Sequence, residues 1–401
     1  MKVAGIIAEY NPFHAGHKYH IEKTREITGA DYIIAVMSGD FVQRGEPAIA
    51  DKYLRTKLAL SKGVDLVVEL PTRYSTASAK EFAFGAITLL NNLNSVDFLS
   101  FGSECGNLEV LKSYVSILNN EPAKFKELML ENLKKGLSYP LARTNALSLY
   151  LNDSNSINIT SLPNNILGIE YMCALSALNS PIMPVTIQRT GASYNDQSIN
   201  SSFPSALSIR NELINNYYNG LDDSDFESNY NKLYPIFEND FSLLLKYKLL
   251  SELNSGFTDY LDVSKELSDR ICNNVYNFTT FESFCKLLKH KQYTYTRIRR
   301  CLLHILLNIK EDITDSSTNL PYCRILGLKK SSSKLVSYIK NNSSIPVITK
   351  PKEADSMLSS DAMSLFSETA FASELYHSVI YNKYGGPTYN EYKQTPVIIE
   401  D

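Results

Sequence analysis

Short apolar runs alternate with amphipathic segments along the first half of this 401-residue chain, and this alternation limits the possible folds more than any other feature. Each run is short enough for one buried strand, and the segments between the runs have helical periodicity. The runs are Val3–Ala8, Tyr32–Met37, Asp65–Leu70, Asp97–Phe101 and Met183–Arg189. Strands that alternate with helices predict an α/β fold with a parallel sheet built by right-handed crossovers.

The helices between these strands have recognisable ends. Glycine follows the first two of them, at a position where helices commonly stop. The predicted helices are His17–Ile27, Ile49–Ser61, Ser78–Asn91, Pro163–Leu178 and Ser205–Asn215, with mainly helical structure over 108–151. The polar stretch Asn152–Ser161 is typical of a loop.

The composition changes after Tyr217, where Asn, Asp, Ser and Tyr are dense up to residue 231. Beyond this stretch helices are the only elements that we predict, at Tyr234–Leu253, Val263–Asn274, Phe281–Lys289 and Arg297–Lys310. We therefore expect a boundary within 216–232. It would separate a Rossmann-like domain over 1–220 from a mainly α-helical domain over 221–401.

Composition and charge restrict the class of protein. The net charge of −3 and the pI near 6.1 argue against a broadly basic nucleic-acid binder, although a local basic patch remains compatible with them. The six cysteines are scattered, which is typical of reduced thiols in a cytosolic protein. Glu9 interrupts the first apolar run too early for a signal peptide, and no apolar stretch is long enough to span a bilayer. We expect a cytoplasmic protein without a membrane segment.

Three of the six histidines lie together in AEYNPFHAGHKYH, directly after the first predicted strand. His14 and His17 flank Gly16 where the first helix begins. A glycine at this point lets a phosphate approach the backbone N–H groups, and the helix dipole favours an anion there. Imidazoles on the same loop can donate hydrogen bonds to phosphoryl oxygens. The loop therefore favours nucleotide binding.

A zinc site is the competing interpretation of this cluster. His17 and His20 are one helical turn apart and could share a face, but no cysteine lies nearby and Glu9 precedes the turn. A tetrahedral set of ligands is not visible, so we expect no metal cage built by the protein. We expect His20 to be incidental or peripheral to the site.

Several motifs, in this order, resemble one family. GIIAEYNPFHAGH is similar to the signature of the H-x-G-H nucleotidyltransferase-like superfamily. SGDFVQRGEPA, ELP, FGSE, PNNILGIEY, QRTGASYND and TRIRRCLLHILL resemble segments of the bacterial tRNA(Met) cytidine acetate ligases.

The resemblance implies an ATP-dependent ligase that joins acetate to the α-phosphate of ATP and releases pyrophosphate. The acetyl group would pass to N4 of the wobble cytidine of elongator tRNA(Met), which yields N4-acetylcytidine. Mg²⁺ on the leaving pyrophosphate is part of this expectation. Acetate is ionised at neutral pH, so the first step needs positioning and charge neutralisation rather than a general base.

The resemblance also implies the residues of the ATP site, and His14, His17 and Asp40 are the candidates for catalysis. Asn164 and Asn165 are adjacent, so the family's nucleotide-contacting asparagine could be either. The full set of candidate ATP-binding residues is Ile7, Ala8, Glu9, Tyr10, Asn11, Pro12, Phe13, His14, Ala15, Gly16, His17, Lys18, Tyr19, His20, Gly102, Asn164, Asn165 and Arg189.

Further polar residues could act on phosphate or acetate. Asp40 could orient the histidines or a metal. Arg44 and Lys52 could contact acetate or phosphate, and exposed salt bridges are an equal interpretation for both. SALSIR only partly resembles the superfamily's late phosphate-binding motif. A phosphate role is therefore expected for Arg210 rather than for Ser205.

The candidate tRNA surface is KHKQYTYTRIRR, where basic residues interleave with tyrosines. Lysine and arginine pair with phosphates, and tyrosine can stack on an unpaired base. A solvated helix start with internal ion pairs would have the same composition. The candidates are Lys289, Lys291, Tyr293, Arg297, Arg299 and Arg300.

Two other functions remain open at this point. An adenylyltransferase acting on a small phosphorylated metabolite would use the same loop, but would not need the long second half. A non-catalytic RNA-binding protein could keep a nucleotide-binding fold as a scaffold. The H-A-G-H sequence and Arg189 favour catalysis over the scaffold.

Overall fold

A computed structural model describes residues 1–152, 155–189, 210, 234–311 and 320–400. At its centre is an eight-stranded, mostly parallel sheet. Five of its strands come from the first half of the chain, in the spatial order β5-β2-β1-β6-β7. They are β1 (Val3–Ala8), β2 (Tyr32–Ser38), β5 (Leu66–Leu70), β6 (Phe98–Ser103) and β7 (Met183–Gln188), while β3 (Phe41–Val42) and β4 (Glu46–Pro47) form a separate antiparallel hairpin. The predicted α/β fold is confirmed.

The C-terminal part of the chain completes this sheet. β8 (Cys323–Lys329) pairs antiparallel with β5, and both β9 (Val347–Ile348) and β10 (Val397–Ile399) pair parallel with β8. These strands differ from the helices alone that the sequence predicts for this region. Two of the three strands are only two or three residues long, and β8 carries Arg324 at its second position, so none has the length and apolar character of the first five.

The sheet is covered on both faces because successive residues of its strands point in opposite directions. In β2, Ile33 and Ala35 belong to the core under α1 (Ala15–Thr28) and α2 (Lys52–Ser61), whereas Ile34 and Val36 belong to the larger core on the other face. Strands that are apolar on both sides are those expected of a buried parallel sheet.

The helices of the first half lie close to their predicted positions, with one exception. The stretch predicted as a loop over Asn152–Ser161 contains a helix at Asn155–Ser161, because Ile159 packs against the core and keeps this polar segment ordered. The helices after α2 are α3 (Thr72–Ser75), α4 (Ala79–Asn92), α5 (Leu108–Asn120), α6 (Ala123–Lys134), α7 (Tyr139–Leu151), α8 (Asn155–Ser161) and α9 (Pro163–Ala177).

The second half adds helices with an apolar core of their own, to which Phe41 also contributes. The predicted helix Ser205–Asn215 and the predicted boundary within 216–232 lie outside the described residues, apart from Arg210. No described helix is both long and apolar enough to cross a membrane. The helices are α10 (Ser242–Ser251), α11 (Lys265–Asn274), α12 (Phe281–Leu288), α13 (Tyr295–Leu306), α14 (Ser333–Asn342), α15 (Ala354–Met357) and α16 (Ser360–Tyr384).

A buried cluster of charged residues joins the C-terminal strands to the first half. Lys52 is fully buried, and its Nζ lies 2.7 Å from Glu69, 2.6 Å from Glu391 and 2.8 Å from the Ser373 hydroxyl. Arg324 on β8 pairs with the same two carboxylates. Two cations therefore face two anions in a dry environment.

This cluster corrects the prediction for Lys52. Its ammonium group uses all three donors inside the cluster, which leaves none for acetate or phosphate. Burial alone would lower the pKa of Lys52, but the adjacent Glu391 and Glu69 raise it. The residue stays charged and holds α2 against β5 and the C-terminal segment.

Lys52→Ala is expected to destabilise the protein by about 3–5 kcal/mol, because two buried carboxylates lose a partner. Lys265→Ala, which breaks only the exposed pair with Asp269, is the control and should cost about 0.5 kcal/mol or less. Urea unfolding measures both values. Equal effects of the two substitutions would contradict this role of the cluster.

Candidate active site

Three neighbouring parallel strands end at one edge of the sheet and bring the predicted site residues together. β1 leads into the loop with His14, β6 ends beside Gly102, and Arg189 follows β7. Ligands of open parallel sheets bind at this edge, where loops enter helix N-termini. Arg189 is close enough to His14, His17 and His20 to lower the pKa of each.

His14 and His17 cap the N-terminus of α1 reciprocally. Nδ1 of His14 accepts a hydrogen bond from the backbone N–H of Gly16 at 3.1 Å, and Nδ1 of His17 accepts one from the backbone N–H of His14 at 3.2 Å. A neutral imidazole that accepts at Nδ1 carries its proton on Nε2. The capping geometry therefore fixes both rings as Nε2–H donors.

Both rings are neutral at physiological pH. Burial, with further contributions from Arg189 and Arg210, lowers the pKa of His14 to about 3. Burial, and after it the proximity of His14 and Arg189, lowers the pKa of His17 well below its ordinary value. The rings stack with centroids 3.7 Å apart. Such rings can donate hydrogen bonds to an anion but are poor bases.

Gly16 is needed for this arrangement. A Cβ atom at residue 16 would lie 2.9 Å from Cε1 of His14, so a side chain would displace the capping ring. From the sequence alone, Gly16 is predicted to let a phosphate approach the backbone. The structure shows a different use of the space, because the imidazole of His14 fills it.

His20 links α1 to the middle of β6. Its Nε2 lies 3.2 Å from the hydroxyl of Ser100, which is 2.6 Å from the hydroxyl of Thr24. Burial, with a contribution from Arg189, lowers the pKa of His20 to about 4. His20 therefore joins the helix to the strand.

Aromatic residues of the same loop support His17. The ring of Tyr10 meets it edge-on with centroids 5.0 Å apart, and the ring of Phe13 lies 5.5 Å away. The hydroxyl of Tyr10 is buried and has no hydrogen-bond partner among the described residues. The rings of Tyr10 and Phe13 therefore pack against the imidazole of His17 and support its position.

Gly102 and Arg189 are in contact at the ends of their strands. A Cβ at residue 102 would lie 3.4 Å from Cγ of Arg189, and the backbone N–H of Arg189 donates to the carbonyl of Ser103 at 2.9 Å. The absence of a side chain at Gly102 leaves room for the arginine stem. The exposed guanidinium is thereby directed along the strand ends.

Asn164 and Asn165 have different surroundings at the start of α9. The side-chain oxygen of Asn165 accepts from the backbone N–H groups of Glu104 and Cys105, its amide donates to the carbonyl of Ile159, and the residue is fully buried. Asn164 instead directs its side-chain oxygen towards Arg189, at 3.5 Å. Of the pair, Asn164 is the one that faces the site.

Glu104 explains this difference. One of its carboxylate oxygens accepts from the backbone and side-chain amides of Asn164, and the other accepts from the backbone N–H of Asn165 at 2.8 Å. An anion at a helix N-terminus is favourable. The FGSE motif therefore supplies the cap of α9 as well as Gly102.

Arg55 fixes the two loops that follow β1 and β2. Its fully buried guanidinium donates to the carbonyls of Glu9 at 2.7 Å and Ser38 at 2.9 Å, and also to those of Gly39 and Ala50. This residue was not among the predicted ones. Nothing in DKYLRTK distinguishes it from an exposed helical arginine.

Asp40 belongs to this framework rather than to the histidine pair. One carboxylate oxygen accepts from the backbone N–H of Lys52 at 2.8 Å, and the other is buried without a hydrogen-bond partner in the described part of the chain. The predicted role of orienting the histidines is therefore not supported by these contacts. Asp40 instead holds the start of α2.

Arg210 lies against the loop that carries His14 (residues 9–14, the histidine loop), as a phosphate-site residue would, and protein groups engage its guanidinium. It donates to the carbonyl of Asn11 at 2.6 Å and pairs with Glu46 at 3.3 Å. Arg44 lies near Glu9, and the pKa of Glu9 is raised by burial and by Glu46 despite the backbone donor of Gln43. Ser205 lies outside the described residues.

The residues of the predicted tRNA surface differ in how exposed they are in the structure. Tyr293 is 9% exposed and its hydroxyl lies 2.7 Å from that of Ser264, so its ring is not available for stacking. Arg299 is buried between Glu46 and Glu238. Of the predicted set, only Lys289 and Lys291 are exposed.

The other two arginines of the set share one carboxylate. Arg297 and Arg300 pair with Asp262 at 3.0 and 3.6 Å. In the sequence these arginines could not be distinguished from phosphate-binding ones, because Asp262 is distant along the chain. Among the described residues, no group of three or more histidines, cysteines or carboxylates could hold a metal ion.

The fold is of the nucleotidyltransferase type, and the model of the HIGH Nucleotidyl Transferase family matches residues 1–391. The tRNA(Met) cytidine acetate ligase of Clostridium perfringens is 43% identical and covers 90% of this chain and 93% of its own length. That of Clostridium kluyveri is 42% identical with complete coverage of both chains. This protein belongs to the tRNA(Met) cytidine acetate ligase family.

Solved structures are similar over the whole chain. The apo crystal structure of Thermotoga maritima TmcAL superposes with a TM-score of 0.92 at 31% identity and covers 100% of both chains. The same protein bound with alpha-thio ATP gives a TM-score of 0.91 at 30% identity. The α/β fold is therefore shared with an enzyme that binds an ATP analogue.

The low pKa of His20 predicts how stability depends on pH. Its folded pKa of about 4 lies below the ordinary 6.5, so unfolding takes up a proton between these values and stability is lost as pH falls through them. The stability advantage of the wild type over His20→Gln should shrink by about 2 kcal/mol between pH 7 and pH 4.5. Urea unfolding at several pH values measures it. The exposed His290→Gln is the control, and a pH-independent difference for His20→Gln would contradict the assignment.

Proposed function

We propose that this protein activates acetate with ATP as acetyl-adenylate and transfers the acetyl group to N4 of the wobble cytidine of elongator tRNA(Met). The observation that carries this proposal is the pair of neutral imidazoles, His14 and His17, fixed as Nε2–H donors beside Arg189. The family membership supports the choice of acetate and tRNA(Met). A reaction on tRNA implies a cytoplasmic enzyme.

In the first step an acetate oxygen attacks the α-phosphorus of ATP. A bond forms between that oxygen and phosphorus, the bond from phosphorus to the bridging oxygen breaks, and pyrophosphate leaves with the electron pair. Negative charge increases on the phosphoryl oxygens, where fixed donors are most effective. His14, His17 and Arg189 supply these donors, and none of them has to remove a proton.

In the second step N4 of cytidine attacks the carbonyl carbon of acetyl-adenylate. The C–N bond forms, the bond from the carbonyl carbon to the phosphate oxygen breaks, AMP leaves with the electron pair, and N4 loses its proton to solvent water. The depressed pKa values of His14 and His17 make both rings poor acceptors for that proton. We therefore assign the two rings to binding and charge stabilisation in both steps.

Mg²⁺ fits this scheme as a companion of the triphosphate. Magnesium in nucleotide sites is held largely by phosphate oxygens and water, with few protein ligands. It would neutralise charge on the leaving pyrophosphate. No residue of this chain is assigned to it.

Lys289 and Lys291 would contact part of the tRNA. Both lie exposed on the turn between α12 and α13. Exposed lysines pair with backbone phosphates without reading sequence. Arg297, half-buried against Asp262, is a secondary candidate. Tyr293, Arg299 and Arg300 support this surface from within.

Purified protein should catalyse ATP–pyrophosphate exchange that requires acetate, because adenylate formation is reversible and needs no tRNA. His14→Ala should lower the exchange rate by about 10²-fold or more through the loss of a fixed donor. Exchange is followed with labelled pyrophosphate. Exchange that is independent of acetate would favour the adenylyltransferase alternative and sink the ligase proposal.

Asn164→Ala should raise the KM for ATP several-fold, since its side chain faces Arg189. It should lower the free energy of unfolding by about 1 kcal/mol or less, because Glu104 loses the side-chain donor but keeps the backbone N–H of Asn164. Asn165→Ala is the matched comparison and should lower the free energy of unfolding by about 2 kcal/mol, because buried N–H groups of Glu104 and Cys105 lose their acceptor. Exchange kinetics and urea unfolding measure the two effects. The reverse pattern would transfer the nucleotide contact to Asn165.

A further inference from the structure

The β3–β4 hairpin lies between the histidine loop and the helices α10 to α13, which are called the helical region below. At its tip Gly45 has a φ of 73°, and a Cβ there would lie 2.6 Å from the backbone nitrogen of Arg300 on α13. In the same turn the backbone N–H of Gln43 donates to the carboxylate of Glu9 at 2.9 Å. The turn of the hairpin therefore contacts both the helical region and the histidine loop.

Glu46 connects the same two regions through its side chain. One carboxylate oxygen lies 2.5 Å from Arg299 on α13, and the other lies 3.3 Å from Arg210. Arg210 in turn donates to the carbonyl of Asn11, three residues before His14, at 2.6 Å. A continuous path of charged contacts thus runs from α13 to the loop that carries the imidazoles.

The path is largely shielded from water. The side chains of Arg299, Glu46 and Arg210 are 12%, 15% and 13% exposed. Burial would raise the pKa of Glu46, but Arg299 and Arg210 outweigh it and keep the carboxylate ionised. Moving one partner would leave a shielded charge unpaired, which is costly. The three side chains consequently hold a fixed geometry.

We propose that Glu46 is a positioning residue for adenylate formation. It holds Arg210 on the carbonyl of Asn11 and, through Arg299, makes the position of the histidine loop depend on α13. The helical region then contributes to the ATP half-reaction without touching ATP. This inference rests on the ATP-binding part of the proposed function.

The test compares Glu46→Gln, Arg299→Gln and the double variant in acetate-dependent exchange. Each single variant should raise the KM for ATP about tenfold and leave the KM for acetate unchanged. The double variant should be no worse than either single one, since both break the same path. Arg299→Lys, which keeps the charge, should recover part of the loss.

Arg73→Gln is the matched control, because it breaks another buried ion pair, with Glu368 at 2.7 Å, on helices α3 and α16. It should lower the thermal midpoint at least as much as Glu46→Gln does, with an unchanged KM for ATP. A merely structural role of Glu46 would instead give both variants the same kinetic profile, and that result would overturn the inference.

Calorimetric binding of a non-hydrolysable ATP analogue separates this inference from the proposed function. Loss of affinity in Glu46→Gln supports the positioning role even if the wild type shows no acetate-dependent exchange. Unchanged affinity and unchanged KM in Glu46→Gln and Arg299→Gln would refute it, whatever the reaction proves to be.

Discussion

Four buried charges, those of Lys52, Glu69, Arg324 and Glu391, connect the C-terminal segments to the first half of the chain. They join α2 and β5 to strand β8 and to a segment near the C-terminus. Because α2 also carries Arg55, whose guanidinium fixes the loops after β1 and β2, the same cluster determines where the histidine loop lies. The site at the strand ends therefore depends on residues far from it in the chain.

The histidine loop applies a second constraint to its own chemistry. In many capped helices a serine or aspartate accepts from the first N–H groups, whereas here imidazoles do so. The capping hydrogen bonds consume Nδ1, and burial keeps the rings neutral. What remains is a pair of donors in a fixed tautomer beside Arg189. Such a pair of donors suits a reaction in which negative charge increases on the phosphoryl oxygens and no proton is removed in the first step.

The sequence was sufficient where the signal was local. The five long apolar runs identified β1, β2, β5, β6 and β7, and H-A-G-H at the end of β1 located the site. β8 to β10 could not be predicted in this way, because β9 and β10 are short and β8 carries the charged Arg324. The charge of Arg324 is balanced by Glu69 on β5, which lies 255 residues earlier in the chain. An ion pair between residues so far apart in the chain produces no periodic pattern in the sequence.

The same limit explains the misjudged side chains. Arg299 has the chemistry of a phosphate ligand, yet its partner Glu46 is 253 residues away. Asn164 and Asn165 are identical in type and adjacent, and only the position of Glu104 shows which of them faces Arg189. The residue type indicates which partners these side chains can bind. Their actual partners depend on the fold, which brings distant residues together.

Incubation of the purified protein with ATP, labelled acetate and a transcript of elongator tRNA(Met) tests the account most directly. The account predicts N4-acetylcytidine at the wobble position, found by nuclease digestion and mass spectrometry, and no label in a transcript with uridine there. Absence of acetylated cytidine from the cytidine transcript, with acetate-dependent exchange intact, would contradict tRNA(Met) as the acceptor.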